Sequence, residues 1–278
     1  MNNSFPAVRN GDVWVLGDNA IDEYVGAHEG IYAGGDAGNV AAQIALAGIP
    51  VNYGGAIADD KDGNMFRDLV AGIGVNLDAL EVLEGKTARC KIRLTEDASR
   101  IFEEEFYGVS AKYWPNDSTL DALLQAKWIH ISYFPRAKEF KALMRSRGYT
   151  GVISQDMAVC EGFENVDVAF GSGSMVRMGF ADYHAAALAA GVQVLVITLG
   201  ADGAVAYDRN LGIEFHDALA ANPIDTNGAG DSFQAGFITA AAAEDFAVLT
   251  GSSLQDALRI ASEFAARCCG HYGGWPQD

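Results

Sequence analysis

Hydrophobic residues in this chain gather into short runs, separated by stretches where apolar positions recur every three or four residues. "DVWVLGD" (12–18) and "VNYGGAI" (51–57) are short, largely apolar runs, which predicts strands buried on both faces of a sheet. "WIHISYF" (128–134), "GVISQDM" (151–157), "VDVAFGS" (166–172) and "VQVLVITLG" (192–200) share that short, β-branched, largely unalternating character. Between the strands lie helical patterns: "GNVAAQIALAGI" (38–49), "DGNMFRDLVAGIGV" (62–75) and "DYHAAALAAG" (182–191). The order predicts a doubly wound α/β fold, a mostly parallel sheet with helices on both faces.

One segment breaks the rhythm. "KTARCKIRLTEDASRIFEEEFYGV" (86–109) alternates polar and apolar residues around a turn-like "EDAS", the mark of an antiparallel hairpin with one face exposed. Lying over the mouth of a sheet, such a ribbon reads as a lid or as the contact of a homodimer, with 20–33 as a second candidate contributor. No repeat, low-complexity tract or Pro/Ser-rich linker divides the 278 residues, so 1–278 reads as one domain.

Charge narrows the function classes. Against 19 Lys and Arg stand 37 Asp and Glu, a formal net charge of −18. That field opposes nucleic acid and anionic membrane, so neither is expected as a partner. No apolar run reaches the roughly 18 residues of a membrane span, and the start has no secretory pattern, so the expected location is cytoplasmic. Cys90, Cys160, Cys268 and Cys269 show no zinc spacing, and the adjacent pair reads as small hydrophobes of a C-terminal helix. His130, His184, His216 and His271 are scattered without metal spacing.

The chemistry concentrates in "DTNGAGD" (225–231), at the start of a helix-like run. A helix N-terminus offers unpaired N–H groups and partial positive charge, which suits phosphate. Gly228, Ala229 and Gly230 leave those groups uncovered. Asp231 would repel a phosphate unless it faces a second reactant, an alcohol whose proton it accepts. The other reading of these seven residues is an Asp-capped helix after a Gly-rich turn. No G-x-G-x-x-G or G-x-x-x-x-G-K-[ST] pattern competes for a nucleotide.

"DTNGAGD" resembles the C-terminal motif D-T-x-G-A-G-D of the ribokinase/PfkB family of sugar kinases. "GGDAGNVAAQIALAG" (34–48) is similar to that family's N-terminal motif, "GDNAIDEY" (17–24) to the end of its first strand, and "VITLGADGA" (196–204) to its nucleotide-side turn. The resemblance covers essentially the whole chain and implies a ribokinase-like fold that uses ATP and Mg2+, with K+ as a candidate further ion. It implies Asp231 as catalytic base and Gly228, Ala229 and Gly230 as an anion hole. It places Thr198, Gly200 and Gly203 beside the nucleotide. Asp22, Gly34, Gly35 and Asn39 would bind the sugar, with turn formation as the alternative reading. Asp225 resembles a residue near a monovalent-cation site, and a strand-end aspartate bonding a turn is its rival.

Within the family, "GDN..D", the hairpin's "TA.....L....R.F......GV" and "HYGGW" (271–275) look most like fructoselysine 6-kinases. For such a fructosamine substrate, which bears an ammonium, Asp18 is a second candidate carboxylate; a solvated strand end is its alternative. Phe102, Phe106 and Tyr107 would pack over a sugar ring, onto the body or onto a second subunit. The chain departs from the family where an N-x-x-E glutamate arranges magnesium water, since it reads "GSGSMVRM" (171–178) there. Other readings stay open: a kinase for another ketose, a pentose or a nucleoside, or a non-catalytic sugar- or nucleotide-binding relative.

Overall fold

The computed structural model describes residues 8–175, 179–209, 212–219, 222–247, 249 and 251–277. The chain opens with β1 (Val13–Leu16), then β2 (Ala20–Tyr24) and β3 (Gly30–Gly34), then helix α1 (Asp36–Leu46) and β4 (Asn52–Ile57). Helix α2 (Lys61–Gly72) leads to β5 (Asn76–Val82), and the hairpin follows as β6 (Arg89–Leu94) and β7 (Arg100–Phe106). Next come α3 (Asp117–Leu123), β8 (Trp128–Ile131), α4 (Ala137–Ser146), β9 (Val152–Asp156), β10 (Val168–Ser172) and α5 (Phe180–Ala190). The chain continues through β11 (Val194–Thr198), β12 (Ala204–Asp208), β13 (Gly212–His216), α6 (Ala229–Ala243) and α7 (Gly251–Cys268).

Nine strands form one sheet in the order β13-β12-β11-β10-β9-β8-β1-β4-β5. Every neighbouring pair from β11 to β5 is parallel, while β12 and β13 join antiparallel. The near-continuous apolar runs have the cause expected of them, burial on both faces. Val13 and Val15 of β1 pack into a core with α1, α6 and α7, whereas Trp14 and Leu16 pack into a second core with α3 and α4. Full burial of such side chains contributes about 1.5–3 kcal/mol each. Among the described residues no helix is long and apolar enough to cross a membrane.

A second sheet of four strands, in the order β3-β2-β6-β7, stands over the C-terminal ends of the parallel strands. The hairpin at 86–109 and the 20–33 segment are therefore one ribbon, joined by parallel pairing of β2 with β6 that sets Asp22 opposite Cys90. The hairpin turn rests on the body: the Ala98 carbonyl accepts from the Thr226 amide at 3.1 Å and from its hydroxyl at 3.2 Å. The far strand is held as well, since Gln277 donates to the Ala33 carbonyl and accepts from the Ala33 amide, both at 2.7 Å.

Several boundaries differ from the sequence reading for local reasons. α1 begins at Asp36 rather than 38, because the Asp18 carboxylate caps it by accepting from the backbone N–H groups of Asp36 and Ala37, each at 3.1 Å. α2 begins at Lys61 because Asp60 caps it through Gly63 N at 2.8 Å. The strand expected over 128–134 stops at Ile131, and Ser132–Phe134 turns outward towards α4. The edge strand β13 and the half-exposed β5 escaped the pattern because they mix exposed and half-buried positions, and the short, buried β12 escaped it with them.

Candidate active site

Between the lid and the strand ends lies a cavity of about 880 Å³. α6 delivers its N-terminus to it. Gly228, with φ of 74°, turns the chain into the helix, and no side chain caps that end. The first-turn N–H groups of α6 lack intrahelical acceptors, although Ala229 N donates to the Thr226 carbonyl at 3.3 Å, and Gly228, Ala229 and Gly230 all line the cavity. A Cβ on Gly230 would meet nothing within 4 Å, so the space beside that residue is open. An uncapped, side-chain-free helix N-terminus fits a phosphate.

Asp231, the third residue of the helix, is 7% exposed and lines the cavity. Asn39 of α1 donates its amide to Asp231 Oδ2 at 2.7 Å, which joins the two sequence motifs in one hydrogen bond. Burial pushes the Asp231 carboxyl up to about 8; the Asn39 amide and the Arg100 charge oppose it, and Asp156 and Asp18 add to it. A carboxyl poised near neutral pH is suited to receiving a proton.

Asp22 lies on the lid strand β2, not at the end of β1 where the sequence placed it. It is buried, lines the cavity and accepts from the Asn227 amide at 3.0 Å. Burial raises it to about 7, with Asp18 and Asp225 adding to the effect. Gly34 does not line the cavity; a Cβ there would come within 2.3 Å of Asp22 Oδ2, so its glycine makes room for that carboxylate. Gly35 does line it, and its φ of 90° and a Cβ position 2.5 Å from the Asn19 backbone exclude a side chain.

Asp18 is not a solvated strand end: it is 7% exposed, lines the cavity and is held at about 6 by burial against the two N–H groups it caps. Asp225 is fully buried, and protein donors occupy both its oxygens. Tyr24 Oη donates at 2.5 Å and Gly273 N at 3.0 Å to one, and Asn227 N donates at 2.8 Å to the other. That geometry matches the turn-bonding reading, tying lid, motif and C-terminal segment together.

Thr198, Gly200 and Gly203 line the far arm of the cavity, beside a second hollow of about 430 Å³ that also touches Ser172 and Leu199. Gly203 has φ of 102° and a Cβ position 2.1 Å from the His216 carbonyl, so strand packing demands the glycine. In the "GSGSMVRM" stretch, Ser172 and Ser174 bond each other at 2.9 Å, and residues 176–178 lie outside the described residues. Among the described residues no three His, Cys, Asp or Glu side chains converge as a metal-holding group. Magnesium carried mainly by phosphate and water, its usual manner, is compatible with such a lining.

Sequence reasoning missed four contributors. Asp156, at the end of β9, accepts from the Gln234 amide at 2.7 Å, and burial raises its carboxyl. Asp36 is raised well above its usual range by burial and by the charges of Asp231 and Asp18. Arg100 on β7 lines the cavity and donates to the Thr226 carbonyl at 3.3 Å. Asn227 holds Asp22 and lies inside the quoted motif, so its position was legible even though its role was not. Of the lid aromatics, Phe102 and Tyr107 line the cavity and Phe106 does not. His130 is buried between Ser132 and Ser154, and burial lowers it to about 3, a structural histidine. Cys268 is buried at the end of α7 and Cys269 half-buried, both free.

A family model described as pfkB family carbohydrate kinase matches residues 23–276. A fructoselysine 6-kinase of Shigella flexneri is 28% identical over 268 residues, covering 94% of this chain and 98% of its own. A fructosamine kinase, FrlD, of Bacillus subtilis strain 168 is 28% identical over 276 residues, covering 94% and 91%. Among solved structures, Arabidopsis thaliana ribokinase complexed with ribose and ATP shares the fold with a TM-score of 0.81, at 20% identity, covering 97% of this chain and 96% of its own.

Proposed function

The chain belongs to the pfkB family of carbohydrate kinases, phosphotransferases with an alcohol acceptor, and from that premise we propose that its acceptor is a primary hydroxyl of a fructosamine, the 6-hydroxyl of fructoselysine foremost. The observation that carries this reading is the charge of the cavity. Seven acidic residues line it (Asp18, Asp22, Asp36, Asp97, Glu105, Asp156 and Asp231), against Arg100 as the only Lys, Arg or His among the described lining residues. A neutral ketose can donate hydroxyls to such a wall but offers it no positive charge. A sugar bearing an ammonium does, since opposite charge favours the ionised carboxylates that burial disfavours. The similarity to fructosamine kinases supports the same substrate class.

In this reading ATP supplies the phosphoryl group, and magnesium offsets the charge of its phosphates. Asp231 accepts the proton of the attacking hydroxyl, with Asn39 fixing its carboxylate. The N–H groups of Gly228, Ala229 and Gly230 face the charge in transit. Asp22, held by Asn227, accepts from sugar hydroxyls, and a carboxylate strengthens each such bond.

The test is ADP release from Mg-ATP with fructoselysine, other fructosamines, fructose, ribose and adenosine, in the presence and absence of potassium. A fructosamine should give the highest kcat/KM. A neutral sugar outperforming every fructosamine would overturn the substrate and leave the kinase.

A further inference from the structure

The lid strand β7 carries a bulge, and the bulge decides which side chains see the cavity. In the β6–β7 pairing Lys91 lies opposite Glu104, yet the next residue, Ile92, lies opposite Phe102. Glu103 is thus extra, and the alternation slips by one residue, as a bulge does when it re-aims a strand. Arg100 and Phe102 before the bulge, and Glu105 and Tyr107 after it, all line the cavity. Strict alternation from Arg100 would have chosen Glu104 and Phe106 instead. Those two are absent from the lining, where Glu104 pairs with Lys91 at 3.7 Å and Glu103 with Arg93 at 2.6 Å.

Among the described residues, the carboxylate that the slip brings in has no cationic partner. Glu105 forms no ion pair with any described Lys, Arg or His within 4 Å; it accepts only a hydrogen bond from Tyr107 Oη, at 3.3 Å. Burial and the Glu105 charge push the Tyr107 phenol up to about 12, so it remains a neutral donor. The Tyr107 ring stacks on Tyr133, from the turn after β8, with centroids 4.4 Å apart and planes 22° apart. Phe102 is 43% exposed and Tyr107 40% exposed, large rings left uncovered inside a cavity. Among the described residues the one cation lining the cavity is Arg100, which donates to the Thr226 carbonyl at 3.3 Å and lies 5.6 Å from the Phe102 ring centroid.

We propose that Phe102, Glu105, Tyr107 and Tyr133 form a subsite for the arm carried on the amine of the sugar, the glutamate facing the ammonium at the arm's end and the rings its methylene chain. A carboxylate beside aromatic faces suits an ammonium on an alkyl stem, because the charge is attracted to both and the stem packs on the rings. The subsite rests on the fructosamine reading and extends it. It selects, within fructosamines, those whose amine bears a long side chain that includes a free ammonium.

The test compares kcat/KM for fructoselysine with that for a fructosamine whose amine carries only a methyl group. The wild-type preference for fructoselysine should fall about fivefold in Glu105→Gln, through KM, as for a partly exposed charge pair. It should fall about tenfold in Tyr133→Ala, where the ring face is lost. Glu104→Gln, one residue away and outside the cavity, should leave the preference as in wild type. Because each enzyme is its own reference, a fold defect cancels in the ratio. If wild type turns over fructoselysine and neither Glu105→Gln nor Tyr133→Ala moves the ratio, or Glu104→Gln moves it equally, the subsite is refuted and the fructosamine reading survives. If wild type turns over neither compound, that reading fails and the subsite with it.

Discussion

Replacing Asp231 by asparagine removes one proton acceptor and little else. The side chains have nearly the same shape, and the asparagine carbonyl oxygen can still accept from the Asn39 amide that now reaches Asp231 Oδ2 at 2.7 Å. Nothing packs differently, and a carboxyl raised to about 8 by burial is exchanged for a neutral group. The variant should therefore fold as well as the wild type, and above pH 8 somewhat better, because it no longer buries an ionised carboxylate. Its kcat should fall by roughly 10²- to 10⁴-fold, the contribution of a positioned general base. The wild-type kcat/KM should rise about tenfold per pH unit below 8 and level off above it, since only about a tenth of a carboxyl of that pKa is ionised at pH 7. In Asp231→Asn that limb should vanish. Coupled ADP detection from pH 5.5 to 9.5, with circular dichroism to confirm folding, reads both effects. A folded variant that keeps near-normal turnover, or the same limb near pH 8, would show that another group takes the proton.

Other expectations follow from the same geometry. Gly230→Ala should fold normally, within about 0.5 kcal/mol of wild type, because its Cβ meets nothing within 4 Å; if the backbone there faces phosphate, kcat/KM for ATP should still drop about tenfold or more, and unchanged kinetics would remove the anion hole. Gly228→Ala should instead be destabilised by about 1–3 kcal/mol in urea unfolding, given its φ of 74° and a Cβ position 2.6 Å from Gly274 Cα. Asp22 and Asp231 keep their protons to about 7 and 8 in the folded chain but ionise near 3.8 when unfolded, so the folded state binds more protons between those values. Ligand-free stability should accordingly be greatest at the acid end of that window and be lost as pH rises, with Tm lower at pH 8 than at 6.5 and this loss levelling off only above about 9, whereas a Tm rising from pH 6.5 to 8 would contradict the sign. Gln277→Ala should cost about 1–2 kcal/mol by urea titration, through the two hydrogen bonds to Ala33 at 2.7 Å.

The central strands were legible because burial on both faces leaves an unmistakable apolar run, as in Val194–Thr198. The hairpin was legible for the opposite reason, its alternation. Fewer cues marked the edge strands, where Gly212–His216 mixes exposed and half-buried positions. In the site, Asp231, the glycines before it and Asn39 announced themselves through short motifs with a local chemical rationale. Asp156, Arg100 and Asp36 did not, because each matters only through what the fold sets across from it. The bulge at Glu103 was hidden for a sharper reason: one unpaired residue inverts the facing of every side chain beyond it, and the sequence on either side looks the same with or without it.

The hydrogen bonds that assemble this site span almost the whole chain. Asn39 meets Asp231 across 192 positions, Tyr24 meets Asp225 across 201, and Ala33 meets Gln277 across 244. Closing loops of that length comes late, after locally paired elements have already formed. During synthesis the lid strands emerge long before the residues they bind. A nascent chain can thus complete several strands and helices before this site assembles, and the last of these ties to the lid forms only when position 277 is free of the ribosome. Pulse-labelled chains released at successive lengths should gain protease resistance in the lid only at that final stage.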